Sequence, residues 1–374
     1  VCGKSQNLNI FRILFYIVIS IMNQLKHHAL NVMKISLTGV LHMKQNKMLG
    51  VMVGVAVAVM TATSAMADDT VTLRFANVTN QPSKDAAQVF IDVANKESGG
   101  RLVIKHFPDN MLGDDRVVTE STILGDIDMV QTMPSVLASM IPDLYVWDAP
   151  FLFNTMDEAW KCMDSELGLS INKQSEKKGL KYLAALENGF RHYTNNKVPV
   201  KVPADVKGQK LRVMETEIQI ALWRTYGANP TPMAFTEVIS ALQQGTIDAQ
   251  ENPLSIIDSN KLYEVQHYIS LTGHVFSPHC LYINQERYDS LDPELQQALD
   301  KAAAAYQTAQ RARATELNAL SVKKFQDAGC EVIEVTDAEK DQWRQMAIDG
   351  KVYDLVREKM EHPELLDKIL NKEY

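Results

Sequence analysis

The chain has 374 residues, of which 46% are hydrophobic, 22% charged and 7% aromatic. At about 100–200 residues per domain, that length suggests two domains, or about three small ones. The composition excludes a disordered chain, a collagen and a small disulfide scaffold. Residues 1–67 carry six Lys or Arg and no Asp or Glu, so the other 307 residues hold 32 basic and 46 acidic side chains, a net charge of −14. A body that acidic repels phosphate at long range, which argues against nucleic acid as a partner.

The segment beginning at Met43 has the three parts of a secretory leader. Lys44 and Lys47 form its positive end, Met48–Met60 its apolar run, and Ala65-Met66-Ala67 a small-x-small cleavage site ahead of Asp68. The apolar run is shorter than the ~20 residues a membrane span needs. No Cys lies near the cleavage point, so no lipid anchor is expected. Residues 1–42, with a second apolar run at Ile13–Met22, read as upstream translated sequence; a true N-terminal anchor is the alternative. The expected product is exported and soluble. Its Cys162, Cys280 and Cys330 form no C-x-x-C pair and read as small buried residues, neither a disulfide framework nor a metal site.

In the body, alternation predicts a strand at Val71–Asn77, a helix over about Lys84–Lys96 and a strand at Arg101–Phe107. A helix at Asp115–Leu124 and a strand at Asp126–Thr132 follow. This βαβαβ rhythm argues for a mostly parallel sheet covered by helices. It restarts with strands at Leu180–Leu186 and Gly208–Met214, a helix at Ile218–Tyr226, a helix at Ala234–Gln244 and a short strand at Ile247–Glu251. Two α/β lobes are the economical reading. From Glu294 to Ala328 there is no Gly or Pro, with Pro293 suited to a first helical turn and Gly329 to the position just past the end. At 1.5 Å per residue that helix is about 50 Å long. It is expected to run along both lobes, although a coiled-coil seam is a competing reading.

The sequence has no G-x-S-x-G elbow, H-E-x-x-H helix, P-loop or G-x-G-x-x-G fingerprint, so no catalytic residue, metal ligand or cofactor is assigned. His274 and His279 are five apart and read as packed imidazoles, and the Asp114-Asp115 pair as acidic surface. The unusual residues lie between 188 and 252. Arg212 interrupts an apolar strand end, Leu211-Arg212-Val213, where burying a guanidinium is costly unless an anion meets it. That anion is a ligand or an internal carboxylate. Arg191 is expected in a polar loop, ENGFRHYTNN. Asn252, before Pro253, suits either a ligand contact or a turn, and Phe235 either a cleft wall or core.

The string GANPTPMAFTEVISALQQGTIDAQENP (Gly227–Pro253), with GQKLRV before it, resembles the solute-binding proteins of tripartite ATP-independent periplasmic (TRAP) transporters, and within them the DctP family. LRFAN, FPDNMLGDDR (Phe107–Arg116), APFLF (Ala149–Phe153), ENGFRHYTN (Glu187–Asn195) and YEVQHYISLTGH (Tyr263–His274) extend the similarity across nearly all of residues 71–370. The resemblance implies an α/β, two-lobe periplasmic-binding-protein fold with a long helix spanning both lobes. Its lobes would close on a small organic acid and deliver it to the small and large membrane subunits.

By the same resemblance Arg212 clamps the ligand carboxylate, Arg191 lies near it, Asn252 bonds the ligand from the other side, Phe235 lines the pocket and His274 sits near it. Where sialate-binding relatives place a glutamate after the third strand, this chain has Met133. That departure argues against sialate and for a sugar acid, such as an aldonate, uronate or keto-sugar acid, with a C4-dicarboxylate as the alternative ligand. The expected division is residues 68–189 with 278–317 in lobe I and 190–277 with 318–374 in lobe II. An exported enzyme acting on a carboxylate, or a ligand-binding sensory module, is the alternative function.

Overall fold

The computed structural model describes residues 70–374. The leader expected over 43–67 and the extension over 1–42 lie outside the described residues. Strands β1 (Val71–Asn77), β2 (Leu102–Phe107) and β3 (Met129–Thr132) pair in parallel, with α1 (Gln81–Glu97) and α2 (Asp115–Ile123) as their crossovers. Asn80 caps α1 by accepting from the Ser83 N–H, and Asp114 caps α2 by accepting from the Val117 N–H, so both helices start where a side-chain oxygen satisfies an orphan donor.

Short helical segments fill residues 134–178 before β4 (Leu180–Asn195). There follow β5 (Lys210–Val213), α3 (Glu217–Thr225), β6 (Asn229–Pro232), α4 (Val238–Gln243), β7 (Ala249–Pro253), α5 (Leu254–Ser259), β8 (Tyr268–Ser270) and β9 (Phe276–Asn284). The helix expected over Ala234–Gln244 is divided, a 3-10 turn at Phe235–Glu237 preceding α4.

The sheet runs β2-β1-β3-β9-β4-β7-β5-β6, with β8 also on β4. It is mixed, where the sequence suggests mostly parallel. β9 is antiparallel to both β3 and β4, and β4 is antiparallel to β7 and β8. Residues 180–190 of β4 pair with β9, and residues 191–195 pair with β7 instead. This exchange of partners lets one 16-residue strand serve both lobes. It also corrects the placement of Arg191, which lies inside β4 and not in a loop. From Glu187 to Asn195 the polar run that suggested a loop lies in the strand and is largely buried, its backbone paired first to β9 and then to β7.

The long helix α6 spans Pro293–Asp327, capped by Asp292 at its start. Leu295, Leu299 and Tyr306 pack with Phe75, Phe90 and Leu281 of the first lobe, while Phe325 joins Val238, Ile257 and Ile269 of the second. Between them the fully buried Gln310 accepts from the Glu187 N–H at 2.7 Å and donates to the Glu187 carbonyl at 2.7 Å. The helix is therefore bonded to β4 close to the partner exchange.

β10 (Glu331–Ile333) pairs with β8. Helices α7 (Asp337–Asp349), α8 (Val352–Lys359) and α9 (Glu364–Leu370) close the chain. Trp343 stacks edge-on against Trp223 and Tyr226, and His362 bonds the buried Asp143 through its N–H and Nδ1. Cys162, Cys280 and Cys330 are free and buried, as expected. Among the described residues no helix is long and apolar enough to cross a membrane.

Replacing Gln310 by Leu strands the N–H and C=O of Glu187 in the interior. At about 1–3 kcal/mol for each unsatisfied group, Gln310→Leu should lower the unfolding free energy by at least about 2 kcal/mol in a urea titration. A loss under about 0.5 kcal/mol would show that the helix is not anchored through this side chain.

Candidate functional site

The carboxyl ends of β1, β3, β5 and β7 converge on one cleft, where ligands collect in open α/β sheets. Val78 and Thr79 follow β1, Met133 follows β3, Arg212 and Met214 end β5, and Asn252 lies near the end of β7; all line it, as do Asp114, Asp115, Arg116, Glu215, Phe235 and His279. The cleft holds about 670 Å³ of empty space, its solvent-facing mouth included.

Arg212 is 4% exposed, while its neighbours Leu211 and Val213 are fully buried. Its Nε and Nη2 donate to the Met233 carbonyl at 3.0 and 2.8 Å, and the guanidinium lies over the Phe235 ring at 5.6 Å. Among the described residues no carboxylate pairs with it. Burial pushes its pKa down to about 10, with Glu251 pulling upward and Arg191 pushing further down, so it remains charged at neutral pH. The Nη1–Nη2 edge, opposite the one facing Met233, is left for an anion.

Arg191 and His274 do not line the cleft; they sit behind it on Glu251. The Arg191 Nη2 donates to Glu251 Oε1 at 2.8 Å and to the Glu251 carbonyl at 2.7 Å, and its Nε bonds the other carboxylate oxygen. It also reaches Asn252 Oδ1 at 3.2 Å, so Arg191, outside the cleft, is tied directly to an expected site residue inside it. His274 Nε2 lies 3.1 Å from Glu251 Oε2, and its Nδ1 lies 2.8 Å from Thr272 Oγ1. Burial alone would raise the Glu251 pKa, but Arg191 and the His274 hydrogen bond hold it at about 2. Burial lowers the His274 pKa, so a neutral ring donating to Glu251 and accepting from Thr272 satisfies both its nitrogens.

Sequence reasoning misses four further residues. Glu251 is not visible as a site residue because its partner is 60 positions away. Asp115, read as acidic surface, is drawn into the cleft by its place in the first turn of α2 and accepts from Thr132 Oγ1 at 3.1 Å. Burial pushes its carboxyl up to about 6, against the lowering effects of Thr132 and Arg212. Asn188 and His279 line the cleft at 1% exposure each. The sequence signal for His279 is a polar ring between Pro278 and Cys280 in an otherwise mostly apolar strand.

The family model of DctP, bacterial extracellular solute-binding protein family 7, matches residues 76–355. The chain belongs to this family. Among curated relatives of this solute-binding protein, the 2,3-diketo-L-gulonate-binding periplasmic protein YiaO of Escherichia coli K12 is 40% identical over 263 residues, 70% of this chain and 80% of that protein. Among solved structures, the sugar acid binding protein of Advenella mimigardefordensis in complex with galactonate superposes with a TM-score of 0.78 at 31% identity, covering 81% of this chain and 97% of that one. A TRAP periplasmic solute-binding protein of Polaromonas sp. JS666 bound to D-erythronate gives 0.74 at 34% identity, covering 80% and 98%. The two-lobe fold with its spanning helix is thus the fold of TRAP solute-binding proteins.

Asp115 and Arg212 share the cleft, and the guanidinium stabilises the ionised carboxyl. Carboxyl NMR titration of the free protein should place the Asp115 midpoint near pH 6, and Arg212→Met should raise it. A midpoint that does not move in the variant would show that the two groups are not electrostatically coupled.

Proposed function

We propose that this protein is a periplasmic receptor that captures a sugar acid, an aldonate, uronate or keto-sugar acid, and delivers it to TRAP membrane subunits. The leader over 43–67, cleaved after Ala67, would export it. The observation that carries the reading is Arg212, a buried charged guanidinium with one edge on a carbonyl and no carboxylate partner among the described residues. A carboxylate fits the remaining edge with two parallel N–H donors, which sets orientation as well as affinity.

On this reading the lobes comprise 68–189 with 278–317 and 190–277 with 318–374. The exchange of β4 partners between Phe190 and Arg191 supports a hinge there. Asn252 would bond the ligand from the second lobe, Phe235 would wall the carboxylate end, and Arg191 and His274 would hold Asn252 and Glu251 in place behind them. The relatives that hold galactonate, D-erythronate and diketo-gulonate support a polyhydroxylated acid. No group is assigned a chemical step, and the ligand is to be released unchanged.

Melting temperatures of the purified protein against a panel of organic acids test the class. A ligand at about 1,000 times its Kd stabilises the folded state by roughly 4 kcal/mol, so a sugar acid should raise the melting temperature by several degrees. Arg212→Ala should weaken binding by about 3 kcal/mol or more, the scale of breaking a desolvated charge pair. Stabilisation by dicarboxylates alone would refute the substrate class, and near-normal affinity in the variant would refute the clamp.

A further inference from the structure

The floor of the cleft carries two polar side chains with bonding capacity left over. Both come from the crossing of β4 and β9, where the register shifts between Glu187 and Gly189, opposite Pro278 and Ser277. Asn188 is the residue in the shift, a placement that re-aims a side chain. Its Nδ2 faces Ser277 Oγ at 3.4 Å and Met133 Sδ at 3.6 Å, and its Oδ1 is buried without a partner. Asn188 is held there by Ser255, whose hydroxyl donates to its carbonyl at 3.0 Å.

His279 is the second. Its Nδ1 lies 2.9 Å from the Gln131 amide, which continues to Ser83 Oγ at 2.7 Å and Tyr306 Oη at 2.8 Å. Tyr306 Oη also lies 3.1 Å from the Ser83 carbonyl. The Gln131 amide nitrogen donates to Ser83 Oγ and to His279 Nδ1, and its oxygen accepts from the Tyr306 hydroxyl, so the whole amide is satisfied. The ring is neutral, burial pushing its pKa down to about 3 with Arg191 adding to the effect. Its single proton therefore sits on Nε2, a donor with no partner among the described residues.

We infer that Asn188 Oδ1 and His279 Nε2 form a hydroxyl-reading subsite that takes the polyol end of an acid held by its carboxylate on Arg212. This rests on the sugar-acid reading above and adds the basis of selectivity. A hydroxyl can donate to the Asn188 oxygen and accept from the His279 N–H at once, whereas a second carboxylate offers only lone pairs at neutral pH and leaves the buried Asn188 oxygen unpaired. A site built to hydrogen-bond a hydroxyl rejects the analogue that cannot supply it, because its buried polar groups stay unpaired.

The probes are galactonate and galactarate, which differ only in a terminal hydroxymethyl against a carboxylate. By calorimetry the wild-type protein should prefer galactonate by at least about 10-fold. His279→Phe and Asn188→Leu should each weaken galactonate binding by about 10-fold or more, Asn188→Leu should also shrink that preference, and His279→Gln, which keeps an N–H donor, should recover most of the affinity lost in His279→Phe. Circular dichroism identifies variants that fail to fold, and in that event the wild-type preference alone decides. Equal wild-type affinity for the two acids, or unchanged selectivity in folded Asn188→Leu, would overturn the subsite and leave the sugar-acid reading standing. A wild-type protein that binds succinate but neither six-carbon acid would overturn both.

Discussion

The whole site depends on which arginine Glu251 takes. Three strands bring Arg191, Glu251 and Arg212 into one region, β4 beside β7 beside β5. An ionised carboxylate buried this deeply demands a cation, and Arg191 meets it with two nitrogens while also bonding its backbone carbonyl. His274 takes a further share of the same carboxylate. Glu251 is thereby saturated, and Arg212 faces only a backbone carbonyl and an aromatic ring. A carbonyl dipole compensates a buried guanidinium incompletely. On the proposed reading an anion from solution fills that deficit, and the internal ion pair and the open clamp would then be two results of one assignment of charges.

The net charge of −14 over the body opposes anion capture at long range, and distance resolves the conflict. At physiological salt, charges on the outer surface are screened over about 8 Å. Inside the cleft the low dielectric strengthens the local guanidinium relative to that surface field. The N-terminal turns of α2 and α3 also adjoin the cleft, since Asp115 and Thr216 both line it, and helix N-termini favour negative charge. Asp115 is the opposing element. Burial pushes its carboxyl up to about 6 while Arg212 pulls it down, so at neutral pH it places a negative charge of the protein's own in the cleft.

Much of the scaffold is legible in the sequence because its signals are local. The long helix announces itself by the lack of Gly and Pro between Glu294 and Ala328, and β1 by strict alternation over Val71–Asn77. Arg212 stands out because a charge inside an apolar strand needs a reason. The second half of β4 is hidden for the opposite reason. Glu187, Asn188 and Gly189 have the composition of a turn, and they lie in a strand only because Gln310, Asn318 and Ser255 from distant segments bond them. Arg191 was misplaced by the same run. Asn188 and His279 become site residues only through the crossing of β4 and β9, which no local pattern encodes.

On the proposed reading the two ends of the cleft make different physical demands on a sugar acid, and both must be met at once for the lobes to close. At the Arg212 end the attraction is strong but poorly selective, because any carboxylate of suitable size supplies it. At the other end, Asn188 and His279 contribute less energy, since a neutral hydrogen bond is worth about 1 kcal/mol net. Their leverage lies in the cost of leaving them unpaired once the lobes exclude water. An open cleft lets solvent satisfy those two groups, so discrimination there is weak. Closure removes the water, and the penalty for a ligand lacking hydroxyls then falls on the closed state alone. Selectivity in such a receptor is therefore a property of closure more than of first encounter: a wrong acid can reach Arg212, yet it holds the two lobes together poorly.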